Sequence, residues 1–262
     1  MVRLISAAIL LPLALYMIFR GGWWLYGLLV LFVGVATGEY VRLLRRHGYA
    51  APYFFAILLA EALLADLFLS IGLTRPAVAL VFLASLAWHV LFDRSKTKTE
   101  NWLLPLAGAV YIGWAGGHLL LIRALPNGGY LLFNALGAVW LADTGAYFVG
   151  RAWGKHHLAP QISPKKTWEG YAGGIVVAGV GAAIIAGLGG FGWVYGALLG
   201  LLMAALTPLG DLGISMIKRE VGVKDTSNLI PGHGGVLDRI DSLLPAAIIG
   251  YYYFTWVMGI GA

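Results

Sequence analysis

The chain has 262 residues, of which 60% are hydrophobic and only 11% are charged, against about 25% charged residues in a typical soluble domain. This composition excludes an ordinary water-soluble domain and predicts a chain solvated mainly by lipid, and the absence of cysteine excludes disulfides, thiolate metal sites and thiol nucleophiles. The formal charge of +6 does not indicate nucleic-acid binding, because the basic residues lie in short loops between apolar segments.

Apolar segments of roughly 20 residues predict membrane-spanning helices. Nine candidates follow one another, although eight or ten spans also fit because the first two are short and closely spaced. We therefore predict an all-α, polytopic transmembrane protein with about nine spans. It is expected to form one membrane domain, with N-terminal helices in 1–125 and catalytic helices and cytoplasmic loops in 126–262. The predicted spans are 4–20, 22–38, 52–73, 76–92, 103–122, 130–150, 170–188, 191–217 and 242–260.

Basic residues alternate between the two ends of these predicted spans. Of the 18 lysines and arginines, 14 follow even-numbered spans or lie around the end of span eight. Because basic loops stay on the cytoplasmic side, the N-terminus and the even-numbered loops are predicted to be cytoplasmic. The compact length favours a bacterial inner (plasma) membrane. The odd-numbered loops contain only Arg20, Arg75 and Arg123.

Three acids interrupt the apolar spans three and six. A charged side chain inside a membrane is costly and is a functional-site hypothesis by default. Asp143, in span six, is therefore a candidate site residue, although Thr144 and Tyr147 offer it purely structural hydrogen bonds. Glu61 and Asp66, in span three, have no motif around them and are expected to face a cavity or a partner helix.

A polar stretch at 163–170 precedes span seven and reads Ser-Pro-Lys-Lys-Thr-Trp-Glu-Gly. Two lysines and two hydroxyls at a helix start predict a phosphate-binding patch. The alternative is a basic membrane anchor in which Ser or Thr caps the helix. The patch would consist of Ser163, Lys165, Lys166 and Thr167.

The segment 211–241 contains most of the remaining polar chemistry. Asp211, Ser215 and Lys218 have the i, i+4, i+7 spacing of one helix face, so Lys218 is also open to a purely structural pairing with Asp211. Further along, the glycines of the 231–235 turn allow backbone N–H groups to approach an anion. Mg²⁺ takes one or two carboxylates together with phosphate oxygens, so carboxylates beside cations predict a site for a Mg²⁺-bound nucleoside triphosphate.

This segment resembles the signature of the phosphatidate cytidylyltransferases, and the stretch at 163–170 resembles a second motif of that family. The resemblance implies that CMP is transferred from CTP to phosphatidate, giving CDP-diacylglycerol and pyrophosphate. It also implies Mg²⁺ as cofactor, with a second cation possible, membrane lipids as partners, and a homodimer. The matching residues are Ser215-x-Ile217-Lys218-Arg219, Lys224-Asp225 and Ile230-Pro231-x-His233-Gly234-Gly235-Val236-x-Asp238-Arg239-Ile240-Asp241.

The resemblance further implies roles for individual residues. Asp211 and Asp238 are expected to be the leading metal ligands, and Lys218 and Arg239 are expected to join them in catalysis. The remaining metal candidates are Asp143, Asp225 and Asp241. The residues expected to bind substrate are Ser163, Lys165, Lys166, Thr167, Ser215, Arg219, Lys224, His233, Gly234 and Gly235.

Three other functions stay open at this point. A cytidylyltransferase for another lipid phosphate and a CTP-dependent polyprenol kinase both fit a basic, carboxylate-containing membrane site. A secondary transporter also contains broken helices and intramembrane acids, but the sequence shows no inverted repeat.

Overall fold

The structure is a computed structural model that describes residues 12–230, 232 and 234–261. The first predicted span therefore lies partly outside the described residues, which are helical over 12–20 (α1). The chain ends in a π-helical turn, Tyr253–Val257. The other elements are α2 (Gly22–Arg46), α3 (Tyr53–Leu69), α4 (Thr74–Phe92), α5 (Lys98–Ala124), α6 (Gly128–Trp153), β1 (His157–Ala159), β2 (Ser163–Thr167), α7 (Trp168–Leu188), α8 (Trp193–Leu206), α9 (Pro208–Glu220), α10 (Leu237–Ile240) and α11 (Leu243–Tyr252).

The predicted all-α class is confirmed, apart from the short hairpin formed by β1 and β2. Within the described residues, six helical segments are long and apolar enough to cross a membrane. They are α2, α4, α5, α6, α7 and the continuous stretch Trp193–Glu220, which contains α8 and α9.

Several helices differ in length from the prediction because hydropathy does not mark where a helix ends, and α5, for example, begins at Lys98 and not at 103. α2 continues past the apolar segment to Arg46. α3 ends at Leu69, since Ser70 adopts a left-handed conformation with φ of 53°. Asp66 turns back over this corner and accepts hydrogen bonds from the backbone N–H groups of Leu73 and Thr74 at 2.6 and 3.0 Å. This acid therefore has a structural role at the start of α4.

The described chain divides into two compact units, and the prediction of a single membrane domain stays a prediction. The first unit comprises the described residues up to Leu121 together with Ile217–Ile240. In it α2 packs against α3, and α3 against α4. The Tyr40 hydroxyl on α2 donates to the Leu104 carbonyl on α5 at 3.1 Å, and Gly113 of α5 lies directly against the Ala60 backbone of α3.

Gly113→Ala is expected to destabilise the protein by about 1–3 kcal/mol, since the added methyl group overlaps backbone atoms of Ala60 that cannot move independently. The matched control is Gly27→Ala in α2, where an added methyl group meets nothing within 4 Å. This change is expected to be neutral or stabilising by up to about 1 kcal/mol. Reversible unfolding in mixed micelles measures both, and equal effects at the two positions would contradict the packing.

The second unit comprises Ile122–Met216 and the described residues from Asp241 onward. Here α7 packs against α6 and α8, and α11 contacts α6 and α8. Small residues permit the close approach: a methyl group added to Gly174 would lie 2.7 Å from the Ala142 carbonyl oxygen, and one added to Gly170 would lie 2.7 Å from that of Ala146. Such close approach through small residues is typical of packed membrane helices.

Candidate active site

A β-hairpin in the second unit presents the predicted phosphate-binding residues. β2 pairs with β1 in antiparallel register, with His157 opposite Thr167 and Ala159 opposite Ser163. Lys165 and Lys166 therefore lie on a strand, and not on the first turn of α7. Thr167 ends the strand in an extended conformation, and its Oγ1 accepts a hydrogen bond from the Gly170 N–H at 3.1 Å. This contact caps α7, as the alternative interpretation of the stretch expected.

The hairpin brings Lys166 to Asp211, in the first turn of α9. The Lys166 Nζ lies 2.6 Å from Asp211 Oδ2, and the two side chains are 29% and 32% exposed. The Ser215 hydroxyl donates to Asp211 Oδ1 at 3.1 Å. Solvent therefore reaches both charges, so phosphate oxygens can compete with the carboxylate for the lysine.

A cavity of about 230 Å³ opens beside this ion pair and lies wholly within the second unit. Asp143 of α6 lines it and lies within electrostatic range of both Lys166 and Asp211. Lys165 and Thr167 line the hairpin side. Most of the remaining wall is apolar, from residues such as Leu158 and Ala204. The cavity thus combines cations, a carboxylate and apolar surface.

The residues of the second unit suit Mg²⁺ bound together with phosphates. Mg²⁺ usually takes one or two carboxylates and fills its remaining positions with water and phosphate oxygens. Asp143 and Asp211 can supply two carboxylates. Among the residues that the structure describes, no three His, Asp or Glu side chains lie together as a metal cage.

Asp238, the other leading metal candidate, lies in the first unit and is held by protein donors. Its Oδ1 accepts from Lys218 Nζ at 2.7 Å. Its Oδ2 accepts from the Thr226 N–H at 2.8 Å, the Thr226 hydroxyl at 2.9 Å and the Gly235 N–H at 2.9 Å. Burial alone would raise the pKa of Asp238, but the hydrogen bonds from Lys218, Gly235 and Thr226 outweigh it and hold the pKa below its ordinary value.

Lys218 therefore pairs with Asp238, whereas Lys166 pairs with Asp211. The side chains of Lys218 and Asp238 are only 8% and 5% exposed. In this structure Asp238 anchors the segment that carries Thr226 and Gly235, and its role as a metal ligand stays a prediction.

The glycine loop, residues 226–237, closes through a hydrogen bond of 2.9 Å from the Ile230 N–H to the Gly234 carbonyl. Gly234 has φ of 79°, a conformation that favours glycine. The Gly235 N–H is already bonded to Asp238, so it supports the turn. An added methyl group on Gly235 would overlap the Thr226 hydroxyl. His233 lies outside the described residues.

The remaining predicted residues fall into two groups. Arg219, Lys224, Asp225 and Arg239 are exposed in the first unit. Asp241 belongs to the second unit, is 7% exposed and accepts a hydrogen bond from the Ser242 N–H at 2.7 Å. The structure thus brings Lys166 and Ser215 to Asp211 in one unit, and Lys218 and Gly235 to Asp238 in the other.

Glu39 was missed by the sequence analysis. It lies just beyond the apolar segment assigned to span two, where an acid before three arginines is typical of a solvated loop. In the structure it is inside α2, 4% exposed, and bonded to the glycine loop. The only local signal in the sequence would have been a continuation of the helix of span two for seven residues beyond this acid.

The fold and the site define a helical membrane protein in which lysines and carboxylates line a cavity suited to phosphates. Residues 1–257 match the family described as the cytidylyltransferase family. This chain belongs to that family.

Curated relatives extend over most of the chain. The phosphatidate cytidylyltransferase of Bacillus subtilis is 38% identical over 229 residues, which cover 84% of each chain. That of Synechocystis is 32% identical, covering 96% of this chain and 95% of the relative. That of Mycobacterium bovis is 36% identical, covering 84% and 77% respectively.

Proposed function

We propose that this protein transfers CMP from CTP to phosphatidate, forming CDP-diacylglycerol and releasing pyrophosphate. The observation that carries the proposal is the partly exposed Lys166–Asp211 pair beside the cavity lined by Asp143. Relatives named phosphatidate cytidylyltransferase support the choice of substrates.

The reaction needs positioning and charge neutralisation more than a strong base. A phosphatidate phosphate oxygen, already anionic, attacks the α-phosphorus of CTP, and the bond from the α-phosphorus to the bridging oxygen breaks as pyrophosphate leaves. Lys165 and Lys166 can each donate charge-assisted hydrogen bonds to phosphate oxygens. Ser163, Thr167 and Ser215 are proposed to hydrogen-bond phosphate or ribose. The exposed Arg219, Lys224 and Arg239 are proposed to neutralise further substrate charge, whereas the buried Lys218 is proposed to act through Asp238, with which it pairs.

Mg²⁺ is the proposed cofactor and, when bound, would neutralise negative charge on the phosphates. Asp211 and Asp143 are the residues whose surroundings best suit ligation, because each is open to solvent or to the cavity. Asp211 would exchange its contact with Lys166 for the cation. The released ammonium group would then be free to contact phosphate.

The location and assembly are proposed on the sequence evidence. Alternation of loop charge supports nine spans, an inner-membrane location and an active site that faces the cytoplasm, where CTP is present. The cavity wall combines apolar and charged residues, which suits one lipid substrate and one soluble substrate. The homodimer rests on the family resemblance.

The test uses purified protein in detergent with phosphatidate, Mg²⁺ and CTP labelled either in the cytidine or in the γ-phosphate. We expect the cytidine label in the lipid product and the γ-label in pyrophosphate. Asp211→Asn is expected to lower the rate by about 10²-fold or more. Transfer of the γ-label to lipid would identify a kinase instead. If neither label enters the lipid, whichever lipid phosphate is supplied, the proposal is refuted.

A further inference from the structure

Glu39 joins two distant parts of the first unit. Its carboxylate is 4% exposed and lies on α2, 187 positions before its partner Thr226. Oε2 accepts from the Leu237 N–H at 2.8 Å and lies 3.0 Å from the Thr226 hydroxyl, whose single hydrogen is shared with Asp238 Oδ2 at 2.9 Å. Oε1 accepts from the Ser227 hydroxyl at 2.5 Å and from the Val236 N–H at 3.1 Å. One side chain thus contacts four donor groups, one of which it shares with Asp238.

These four donors lie at the two ends of the glycine loop. The hydroxyls belong to its first two residues, and the N–H groups belong to its last two. A single carboxylate therefore closes the loop at its base. Leu237 also begins α10, whose next two residues are Asp238 and Arg239. By holding the Leu237 N–H, Glu39 fixes the start of α10 and with it the backbone of both of these predicted site residues.

The contacts at the base of the loop leave no space for a side chain at position 235. A methyl group added to Gly235 would overlap both carboxylate oxygens of Glu39 as well as the Thr226 hydroxyl. All four donors to Glu39 are neutral, so the buried charge is stabilised by hydrogen bonds, and removing it leaves buried donors unpaired. Glutamine has the same shape, but it offers an NH₂ group where two of the donors require an acceptor.

We propose that Glu39 is a positioning residue for nucleotide transfer, which fixes the glycine loop so that Asp238 and Arg239 are held in their working positions. The kinetic part of this inference rests on the proposed function. The structural part, that Glu39 orders the loop, rests only on the contacts described above.

The test compares Glu39→Gln with Glu61→Gln in the full-length protein. Glu61 lies on α3 of the same unit, and its carboxylate oxygen faces Gly34 of α2, so it is a control for replacing a glutamate of this unit that does not contact the glycine loop. Ser227→Ala and the double variant Glu39→Gln/Ser227→Ala complete a mutant cycle. The readouts are KM for CTP, KM for phosphatidate, thermal unfolding and hydrogen exchange over 226–237.

We expect Glu39→Gln to raise KM for CTP by about 10- to 100-fold while KM for phosphatidate changes less than twofold. Amide exchange at Val236 or at Leu237 should accelerate by at least about tenfold, because the glutamine NH₂ group replaces the acceptor oxygen of one of them. Ser227→Ala should have little added effect once Glu39 is replaced. Glu61→Gln should change neither KM nor loop exchange. A purely structural role would lower Vmax through the active fraction and leave both KM values unchanged.

Two results separate failure of this inference from failure of the proposed function. If the unsubstituted protein transfers CMP and Glu39→Gln leaves KM for CTP and loop exchange unchanged, the positioning role is wrong. If the unsubstituted protein transfers no CMP, the proposed function fails, and exchange at Val236 and Leu237 alone decides whether Glu39 orders the loop.

Discussion

Lys166→Gln is expected to lower kcat/KM for CTP by about 10²- to 10³-fold, the usual effect of removing one donor to developing charge in an active site. Glutamine keeps the approximate length and polarity but removes the charge that lies 2.6 Å from Asp211. The fold should survive, because a partly exposed ion pair contributes only about 0–1 kcal/mol to stability. Initial rates with labelled CTP and phosphatidate measure the effect.

The control for this substitution is Lys155→Gln. Lys155 is an exposed lysine of the same unit, shortly before the hairpin, and it is not among the residues that line the cavity. We expect its kcat/KM to stay within about threefold of that of the unsubstituted protein, since surface charges away from a site act weakly through screening. If the Lys166→Gln enzyme is as active as the Lys155→Gln enzyme, the hairpin is not part of the active site.

Asp238→Asn is expected to reduce the free energy of unfolding by about 3–5 kcal/mol, because it leaves the Lys218 ammonium buried without its counter-charge. Lys218→Met should cost less, since the carboxylate then keeps its hydrogen bonds from Thr226 and Gly235. The double variant should cost less than the sum of the two single variants. Unfolding in mixed micelles of increasing denaturing detergent measures all three.

The matched control is Asp225→Asn, an exposed carboxylate one residue before the glycine loop. We expect its effect on unfolding to stay within about 0.5 kcal/mol, as for most surface substitutions. The measurement also distinguishes two roles of Asp238. Loss of CMP transfer in Asp238→Asn with unfolding unchanged would show that the carboxylate acts on substrate or metal and does not anchor the loop.

Hydropathy predicted where most long helices lie, because the preference for lipid is a property of each segment by itself. It placed α6 and α7 within two or three residues of their observed ends. It did not predict the end of α2 or the corner after α3, which depend on backbone conformation and on the hydrogen bonds of Asp66.

The sequence motifs named candidate residues but not their partners. Lys166 meets Asp211 and Lys218 meets Asp238, although helical spacing alone had suggested Lys218 as a partner for Asp211. Pairings between distant segments depend on how the chain folds, which no local spacing encodes. For the same reason the sequence did not reveal the role of Glu39, because its hydrogen-bond partners all lie near the other end of the chain.

The first unit is discontinuous in the chain, and this has a consequence for synthesis. Its helices up to Leu121 emerge early, but Ile217–Ile240 follows only after Ile122–Met216 has been made. At about 5–20 residues per second, Glu39 waits roughly 10–40 s in the nascent chain before Thr226 and Leu237, 187 and 198 positions later, exist to bind it. During that interval the Glu39 carboxylate lacks all of its final donors. The first unit therefore cannot complete its hydrogen bonding until most of the second unit has been synthesised.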